Sequence, residues 1–257
     1  MDAMTRANGE AWDAIAKTHY ENYDVQRLLS GEPLINELIK AEVGDVKGKA
    51  LIHLLCHIGT DTLSWGLLGA HVTGVDISEK SIQYARKIAN QLKMEATFVV
   101  CDVMELTGKI EATYDIVFAS TGVLCWIPDI ERLANTIRSL LKPGGFFYLF
   151  DGHPFRNMLG ETVNTVNSIK NDYFRRGVFK YDNFGDYVVK DFMVPMKSYE
   201  WAWTMGDVVT AFCQAGMRIA FLHEFPEYLY GGYTPYDVEN NKRELYPCTF
   251  SLKAMAG

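Results

Sequence analysis

Strand-like and helix-like segments alternate along this chain between residues 46 and 152. Short apolar runs occur at 50–55, 71–77, 96–101, 114–120 and 145–151. Segments with helical spacing lie between them, one ending at Leu68 and others at 79–92 and 129–141. Such alternation is typical of parallel strands joined by crossover helices that cover both faces of one sheet. We therefore predict an α/β fold with a doubly wound, mostly parallel sheet.

The last part of the chain supplies two more strands. Segment 206–216 has a helical pattern that ends at Gly216, and 217–225 and 249–256 are predicted strands. The loop between those two strands has no helical pattern, so an antiparallel pairing is the easiest connection. The predicted sheet thus has seven strands in a Rossmann-like arrangement, with the last one reversed.

The remaining segments flank or interrupt this sheet. Two helices are predicted before it, at 10–28 and 33–42, the second with Pro33 in its first turn. Residues 153–200 show no clear period. The predicted organisation is a helical cap over 1–45, a core over 46–152, a lid insertion over 153–200, and the rest of the core over 201–257.

Composition limits the classes of function. The formal net charge is -7, whereas binding to a nucleic-acid backbone generally needs a basic surface. No apolar run reaches the length of a membrane span, and the polar N-terminus lacks a secretory signal. The five cysteines follow no metal-finger or haem spacing, which suits a reducing compartment. We predict a cytoplasmic protein that binds neither nucleic acid nor membrane.

Five short motifs in a fixed order carry a family resemblance. They are the first loop HLLCHIGTDT, GVDIS at 74–78, Cys101–Asp102, YDIVFAS at 114–120 and LKPGG at 141–145. This series resembles the class I S-adenosylmethionine-dependent methyltransferases, over roughly 48–152 with weaker support from 199–256. The first loop is similar to a branch that reads H-L-x-C-H-x-G-x-D-T, and it lacks the glycine-rich pattern of better-known members. The resemblance implies methyl transfer from S-adenosylmethionine.

The resemblance also implies where the cofactor binds, at the carboxyl ends of the strands. Gly59 allows a tight backbone path, and the helix that follows faces the methionine carboxylate. Asp76 accepts from both ribose hydroxyls, Ile77 covers the adenine, and Asp102 accepts from its amino group. The full predicted cofactor set is Tyr20, Cys56, His57, Gly59, Thr60, Asp61, Thr62, Asp76, Ile77, Ser78, Asp102, Val103, Ser120, Thr121 and Gly122.

Several of these residues have simpler interpretations. In the simpler interpretation, Asp61 and Thr62 do no more than cap a helix. Likewise, residues 120–122 then form only a turn at the end of a strand. A capping role for Asp76 is weaker, because Ser78 is placed to cap the helix at 79–92.

Two other kinds of binding site would need sequence features that this chain lacks. A nicotinamide dinucleotide needs G-x-G-x-x-G beside its pyrophosphate, and CHIGTDTLS has one glycine. An NAD-dependent oxidoreductase is therefore a weaker alternative. His53, His57 and His71 suggest a metal site, but no further ligand stands at a matching spacing, so no metal is predicted.

The catalytic base and the acceptor site are less defined. His153, oriented by Asp151, is the candidate base; alternatively it only shapes the loop before Pro154. Tyr20 and Tyr23 could close over the cofactor. Aromatic residues are concentrated late in the chain and suggest a cover for a small-molecule acceptor, or else a lid core or a homodimer interface. The candidates are Trp126, Tyr199, Trp201 and Trp203, with Tyr228, Tyr230, Tyr233 and Tyr236 in the last loop.

One further alternative is functional. The chain could bind S-adenosylmethionine without transferring its methyl group, as a sensor or an assembly subunit.

Overall fold

A seven-stranded sheet forms the centre of the protein. The computed structural model describes residues 1–158, 171–189, 192–226 and 246–257. The strands of the main sheet are β1 (Ala50–Leu54), β2 (His71–Asp76), β3 (Thr97–Val100), β4 (Tyr114–Ser120), β5 (Leu141–Gly152), β10 (Met217–Phe225) and β11 (Thr249–Ala256). Their order in space is β3-β2-β1-β4-β5-β11-β10. The strand order therefore reverses between β1 and β4, which is where ligands bind in open α/β sheets.

The predicted reversed strand is confirmed. β11 pairs antiparallel with both β10 and β5, whereas β1 to β5 pair in parallel. β11 lies between its two partners and not at the edge of the sheet. The α/β class and the Rossmann-like sheet predicted from the sequence are thus both correct.

Seven helices surround the sheet in the described part of the chain. They are α1 (Ala3–Asn22), α2 (Val25–Leu29), α3 (Glu37–Val43), α4 (Thr60–Leu67), α5 (Glu79–Leu92), α6 (Ile130–Leu140) and α7 (Met205–Gln214). Alternate side chains of each strand enter different cores: Ile52 and Leu54 pack with α6 and α7, whereas Leu51 packs with α3 and Trp65 of α4. This alternation buries both faces of the sheet.

The N-terminal helices differ from the prediction. The segment predicted as one helix over 10–28 is two helices, because the chain becomes extended at Tyr23, with φ -76° and ψ 160°. Pro33 lies before the next helix and not in its first turn, since Asn36 caps α3 by accepting from the Leu38 N–H. Helical periodicity continues across such a break, so the sequence pattern did not reveal it.

The segment after β5 contains small sheets of its own. Strands β6 (Val178–Tyr181) and β9 (Ser198–Trp201) pair antiparallel, as do β7 (Phe184–Gly185) and β8 (Met193–Val194). Short 3₁₀ turns occur at Val103–Glu105, Leu124–Trp126 and Pro154–Met158. The predicted aromatic residues Tyr228, Tyr230, Tyr233 and Tyr236 lie outside the described residues. No helix among the described residues has the length and apolarity needed to span a bilayer.

Candidate active site

The loop after β1 follows an unusual backbone path. Leu55, His57 and Gly59 all have positive φ, at 54°, 49° and 75°. Left-handed backbone costs a residue with a side chain about 1 kcal/mol or more, whereas glycine adopts it freely. The loop thus follows a path that favours glycine while two of its three left-handed positions carry side chains. Those two side chains occupy space that glycine would leave open.

Gly59 is the position where only glycine fits. A Cβ there would lie 2.8 Å from Ala85 Cβ and 2.9 Å from Phe98 Cε1, so α5 and β3 approach the loop directly. Gly59 is also the residue from which α4 begins. The close approach fixes the position of the α4 N-terminus relative to the sheet.

We expect Gly59→Ala to destabilise the protein by about 3 kcal/mol or more, since backbone strain adds to overpacking. Gly216→Ala is the control, because Gly216 has a φ of 79°, close to that of Gly59, and no atom within 4 Å of its added Cβ. That variant should lose only the strain, about 1 kcal/mol. Urea denaturation measures both values, and equal losses would show that the contact with α5 is unimportant.

Asp76 ends β2 beside this loop. It is 8% exposed, and its two carboxylate oxygens accept from the backbone N–H groups of His57, at 2.7 Å, and Ser78, at 2.8 Å. Burial raises the pKa of Asp76 to about 6, although these N–H groups favour the charged form. Ser78 caps α5, as predicted, by accepting from the Ser81 N–H at 3.0 Å. Each oxygen of Asp76 keeps a lone pair for a further donor.

A chain of polar contacts links the first loop to the segment after β5. His57 Nδ1 lies 2.9 Å from Ser81 Oγ, His57 Nε2 lies 2.7 Å from His19 Nδ1, and His19 Nε2 lies 3.2 Å from Asp186 Oδ1. Burial lowers the pKa of both histidines. The Asp186 carboxylate favours a proton on His19 Nε2. His19 Nδ1 then accepts from His57 Nε2–H, and His57 Nδ1 accepts from the Ser81 hydroxyl. The two histidines are therefore a neutral link between the first loop and the segment after β5.

Helix α1 closes over the same region. A Cβ at Gly9 would lie 3.3 Å from Ile77 Cγ1, so the helix packs closely against Ile77. Asp13 accepts from Ser78 Oγ at 2.6 Å, and Asn8 exchanges two hydrogen bonds with the backbone of Tyr199 in β9. Helix α1 thus contacts both the end of β2 and strand β9.

Sequence reasoning missed this face of α1. Asn8, Trp12 and His19 follow one another at helical spacings of four and seven residues, which is the signal that could have found them. The Trp12 ring meets Trp126, at a centroid distance of 5.5 Å, and Phe184, at 5.2 Å. Trp126 therefore lies in an aromatic cluster with Trp12 and Phe184.

Tyr20, in α1, and Tyr23, at the end of that helix, contact different parts of the protein. Tyr20 stacks on Tyr84 of α5 at 4.6 Å, beneath the ammonium group of Lys87. Tyr23 instead stacks on His19, and its hydroxyl contacts that of Tyr187. The structure brings Tyr23 to the candidate site and packs Tyr20 against α5.

Other predicted residues lie at the ends of β1, β3 and β4. Ser120 donates to Asp61 at 2.9 Å, and burial raises the pKa of Asp61. Asp102 accepts from the Met104 N–H at 2.9 Å and so caps the turn that follows β3. Thr121 and Gly122 both have positive φ, at 58° and 71°. Buried at the same end of the sheet are Cys56, Thr60, Thr62 and Val103.

His53 and His57, considered above for a metal site, contact different side chains. His53 Nδ1 lies 2.9 Å from Thr62 Oγ1, and burial lowers the pKa of His53 to about 3. In the described part of the chain no group of three His, Cys, Asp or Glu side chains is placed to hold a metal ion.

Asp151 performs a different task from the one predicted. Its carboxylate accepts from four backbone N–H groups, those of Gly122, Val123, Leu124 and Gly152, at 2.7 to 3.0 Å. The prediction that Asp151 orients His153 is therefore corrected. Asp151 instead fixes the loop that leaves β4, because that loop would otherwise bury backbone donors without acceptors.

His153 is held on both sides. Its Nδ1 accepts from the Phe155 N–H at 3.1 Å, and its Nε2 lies 2.8 Å from Glu224 Oε1. Burial lowers the pKa of His153, although Glu224 opposes this shift. An Nδ1 that accepts a backbone N–H leaves the proton on Nε2, so the ring has no free lone pair to take a proton from an acceptor. The geometry favours the alternative in which His153 shapes the loop.

Some of the residues predicted to bind the acceptor lie at the candidate site, and others have structural contacts elsewhere. Trp201 is buried, and Trp203 donates its indole N–H to the Ile127 carbonyl at 2.9 Å. Tyr199 faces α1 through its backbone. Trp126 and Tyr199 are thus brought to the candidate site, whereas Trp203 braces the loop after Trp126.

These residues fit S-adenosylmethionine. The buried carboxylate of Asp76 can accept from ribose hydroxyls, and the α4 N-terminus at Gly59 offers N–H groups to a carboxylate. Aromatic rings such as Trp12 and Trp126 suit a cationic sulfonium.

Methyltransferases are among the known proteins that this chain resembles. Residues 52–145 match the methyltransferase domain family. The ubiquinone biosynthesis O-methyltransferase of Bordetella pertussis is 27% identical over 184 residues, which are 70% of this chain and 75% of that protein. A protein of the same name from Coxiella burnetii is 32% identical over 100 residues, which are 39% of this chain and 42% of that protein.

Solved structures share the fold. An S-adenosylmethionine-dependent methyltransferase from Mesorhizobium loti has a TM-score of 0.62 at 21% identity, over 85% of this chain and 95% of that one. The magnesium protoporphyrin IX methyltransferase of Synechocystis, with bound S-adenosylhomocysteine, has a TM-score of 0.53 at 16% identity. That match covers 96% of this chain and all of the other.

Proposed function

We propose that this chain, an S-adenosylmethionine-dependent methyltransferase with the class I fold, transfers the methyl group to a small-molecule nucleophile by in-line displacement and releases S-adenosylhomocysteine. The observation that carries the proposal is the buried carboxylate of Asp76, held at the end of β2 beside the left-handed loop at Gly59. We also propose that the chain belongs to the branch whose first loop reads H-L-x-C-H-x-G-x-D-T, and that it works in the cytoplasm.

The cofactor supplies an already activated methyl group on its sulfonium, so the protein contributes mainly orientation and exclusion of water. Asp76 orients the ribose, and the N-terminus of α4 faces the methionine carboxylate. The loop held by Asp151 lies past the end of β4, where the methyl group is expected. Helix α1 and strand β9 cover this region, because Asn8 joins them directly. These contacts define which residues exclude water from the reaction.

A small acceptor is supported by charge and by the relatives. The net charge of -7 disfavours a nucleic acid. The relatives are named as O-methyltransferases of ubiquinone biosynthesis, which supports a hydroxyl acceptor on a small molecule for this chain as well.

Calorimetry with S-adenosylmethionine, S-adenosylhomocysteine and NAD tests the proposal. We expect micromolar binding of both sulfur ligands and none of NAD, since the first loop has side chains where a pyrophosphate needs glycine. Release of S-adenosylhomocysteine with small hydroxyl or amine acceptors then separates transfer from sensing. Failure to bind either sulfur ligand ends the proposal.

The affinity for S-adenosylmethionine should depend on pH through Asp76. Its pKa is raised to about 6, so the carboxylate that accepts from the ribose is protonated progressively as the pH falls from 7 to 5. Affinity should therefore fall about tenfold for each pH unit below 6, as expected for one required deprotonation. Calorimetry between pH 5 and 8 measures this dependence, and Asp76→Asn should remove it. A wild-type affinity that stays flat across this range would contradict the assignment.

A further inference from the structure

The end of the sheet that holds the candidate site contains several acids and bases, and nearly all have partners. Asp61 accepts from Ser120, and Asp151 accepts from four N–H groups. His57 is engaged at both ring nitrogens. His153 accepts from Phe155 and faces Glu224. Each of these groups therefore has at least one hydrogen-bond partner among the described residues.

Glu200 is the exception in the described part of the chain. It lies in β9, partly buried, next to Tyr199, whose backbone is bonded to Asn8 of α1. No hydrogen bond or ion pair joins its carboxylate to another described residue. Burial raises the pKa of Glu200. A buried carboxyl without a partner costs stability, and such groups concentrate at functional sites.

The surroundings of Glu200 place it at the acceptor side of the cofactor loops. Burial is the main reason that the pKa of the Cys125 thiol is raised, and the negative charges of Glu200 and Asp151 raise it further. Cys125 belongs to the turn that includes Trp126, and Trp126 lies in the aromatic cluster with Trp12 and Phe184. Strand β9 also contacts the Leu124–Trp126 turn, so Glu200 lies near the loop that leaves β4.

The groups that face Glu200 from each neighbouring element do not neutralise it. From the turn after β4 comes Cys125. From β6 comes Phe179, which is opposite Glu200 in the strand pairing. The guanidinium of Arg175 lies 4.3 Å from the Phe179 ring centre, where it makes a cation–π contact. A polar hydrogen brought by a substrate would meet a carboxylate to which no described residue donates a hydrogen bond.

From this geometry we infer that Glu200 is the catalytic base, which takes the proton from the hydroxyl or amine that is methylated. The inference rests on the proposed function. In the step, the acceptor's O–H or N–H proton moves to the Glu200 carboxylate while the acceptor atom bonds to the methyl carbon. The carbon–sulfur bond breaks, and its electron pair stays on sulfur in S-adenosylhomocysteine. The protonated Glu200 then releases its proton to water after the product leaves.

Glu200→Gln tests the inference, because it keeps the shape of the side chain and removes the basic oxygen. Wild-type initial rates of S-adenosylhomocysteine formation are first measured with catechol, 3,4-dihydroxybenzoate and tyramine, and the fastest acceptor is used. We expect kcat to fall about 100- to 1,000-fold at pH 7, since general bases typically contribute 10²–10⁴. KM and the affinity for S-adenosylmethionine should change less than about twofold, which shows that the variant is folded. The deficit in kcat should shrink as the pH rises and the acceptor loses its proton to solvent.

Glu111→Gln is the matched control, because Glu111 is exposed in a loop remote from β9, and it should retain wild-type rates. Glu200→Asp should keep part of the activity. If Glu200→Gln stays within about twofold of wild type while His153→Gln loses activity, the base is His153 and the inference is overturned. If the wild type forms no S-adenosylhomocysteine with any of the acceptors, the proposed function and the inference fail together.

Discussion

Asp76→Ala should weaken S-adenosylmethionine binding by at least 100-fold. Two hydrogen bonds from ribose hydroxyls to a charged acceptor are lost, and each contributes about 1.5–3 kcal/mol. The Asp76 carboxylate also accepts from the His57 and Ser78 N–H groups, so its removal loosens the first loop as well. Calorimetry at pH 7.5, well above the pKa of about 6, measures the loss.

Asp45→Ala is the control for this experiment. Asp45 is exposed, lies ahead of β1, and accepts from one backbone N–H, that of Lys47 at 3.0 Å. Its removal should leave the cofactor affinity unchanged. Asp76→Asn separates binding from folding, because it keeps the side-chain volume and one acceptor oxygen. If both Asp76 variants bind the cofactor as tightly as the wild type, Asp76 does not hold the ribose.

Asp151→Ala should cause the largest loss of stability among single substitutions of polar residues near the site. The carboxylate is the acceptor for four backbone N–H groups, and 4% of the residue is exposed. Burying several unsatisfied donors costs about 3–5 kcal/mol in total after the loop relaxes. For a chain of this size the melting temperature should fall by roughly 6–20 °C. Differential scanning calorimetry measures this change.

Asp129→Ala provides the comparison, because Asp129 accepts from a single N–H, that of Arg132 at 2.9 Å, as the cap of α6. Its loss should cost about 1 kcal/mol, the usual value for a helix cap. A loss for Asp151→Ala no greater than that for Asp129→Ala would mean that water replaces the carboxylate in the loop after β4. The cofactor affinity of Asp151→Ala should also fall, since this loop lies where the methyl group is expected.

The sequence alone was enough to predict the sheet. Strands 114–120, 217–225 and 249–256 and helix 79–92 have the predicted bounds. Helix 79–92 is amphipathic and strand 114–120 is a continuous apolar run, and such patterns depend only on which faces of an element are buried. The reversed direction of β11 followed from the absence of a helical pattern in the loop before it. The position of Asp76 at the end of β2 followed from the same strand bounds.

Tertiary structure decided what the polar side chains do. Asp151 was predicted to orient His153 but holds the loop after β4, and Tyr20 packs on α5 while Tyr23 reaches the first loop. Such outcomes depend on contacts between residues far apart in the sequence, as between Asn8 and Tyr199 or His19 and Asp186. Local spacing fixes the face on which a side chain lies, but only the packing of α1 and the lid against the sheet decides which partner it meets there. The sequence therefore determined where the candidate site lies, whereas the fold determined which partner each of its acids and bases meets.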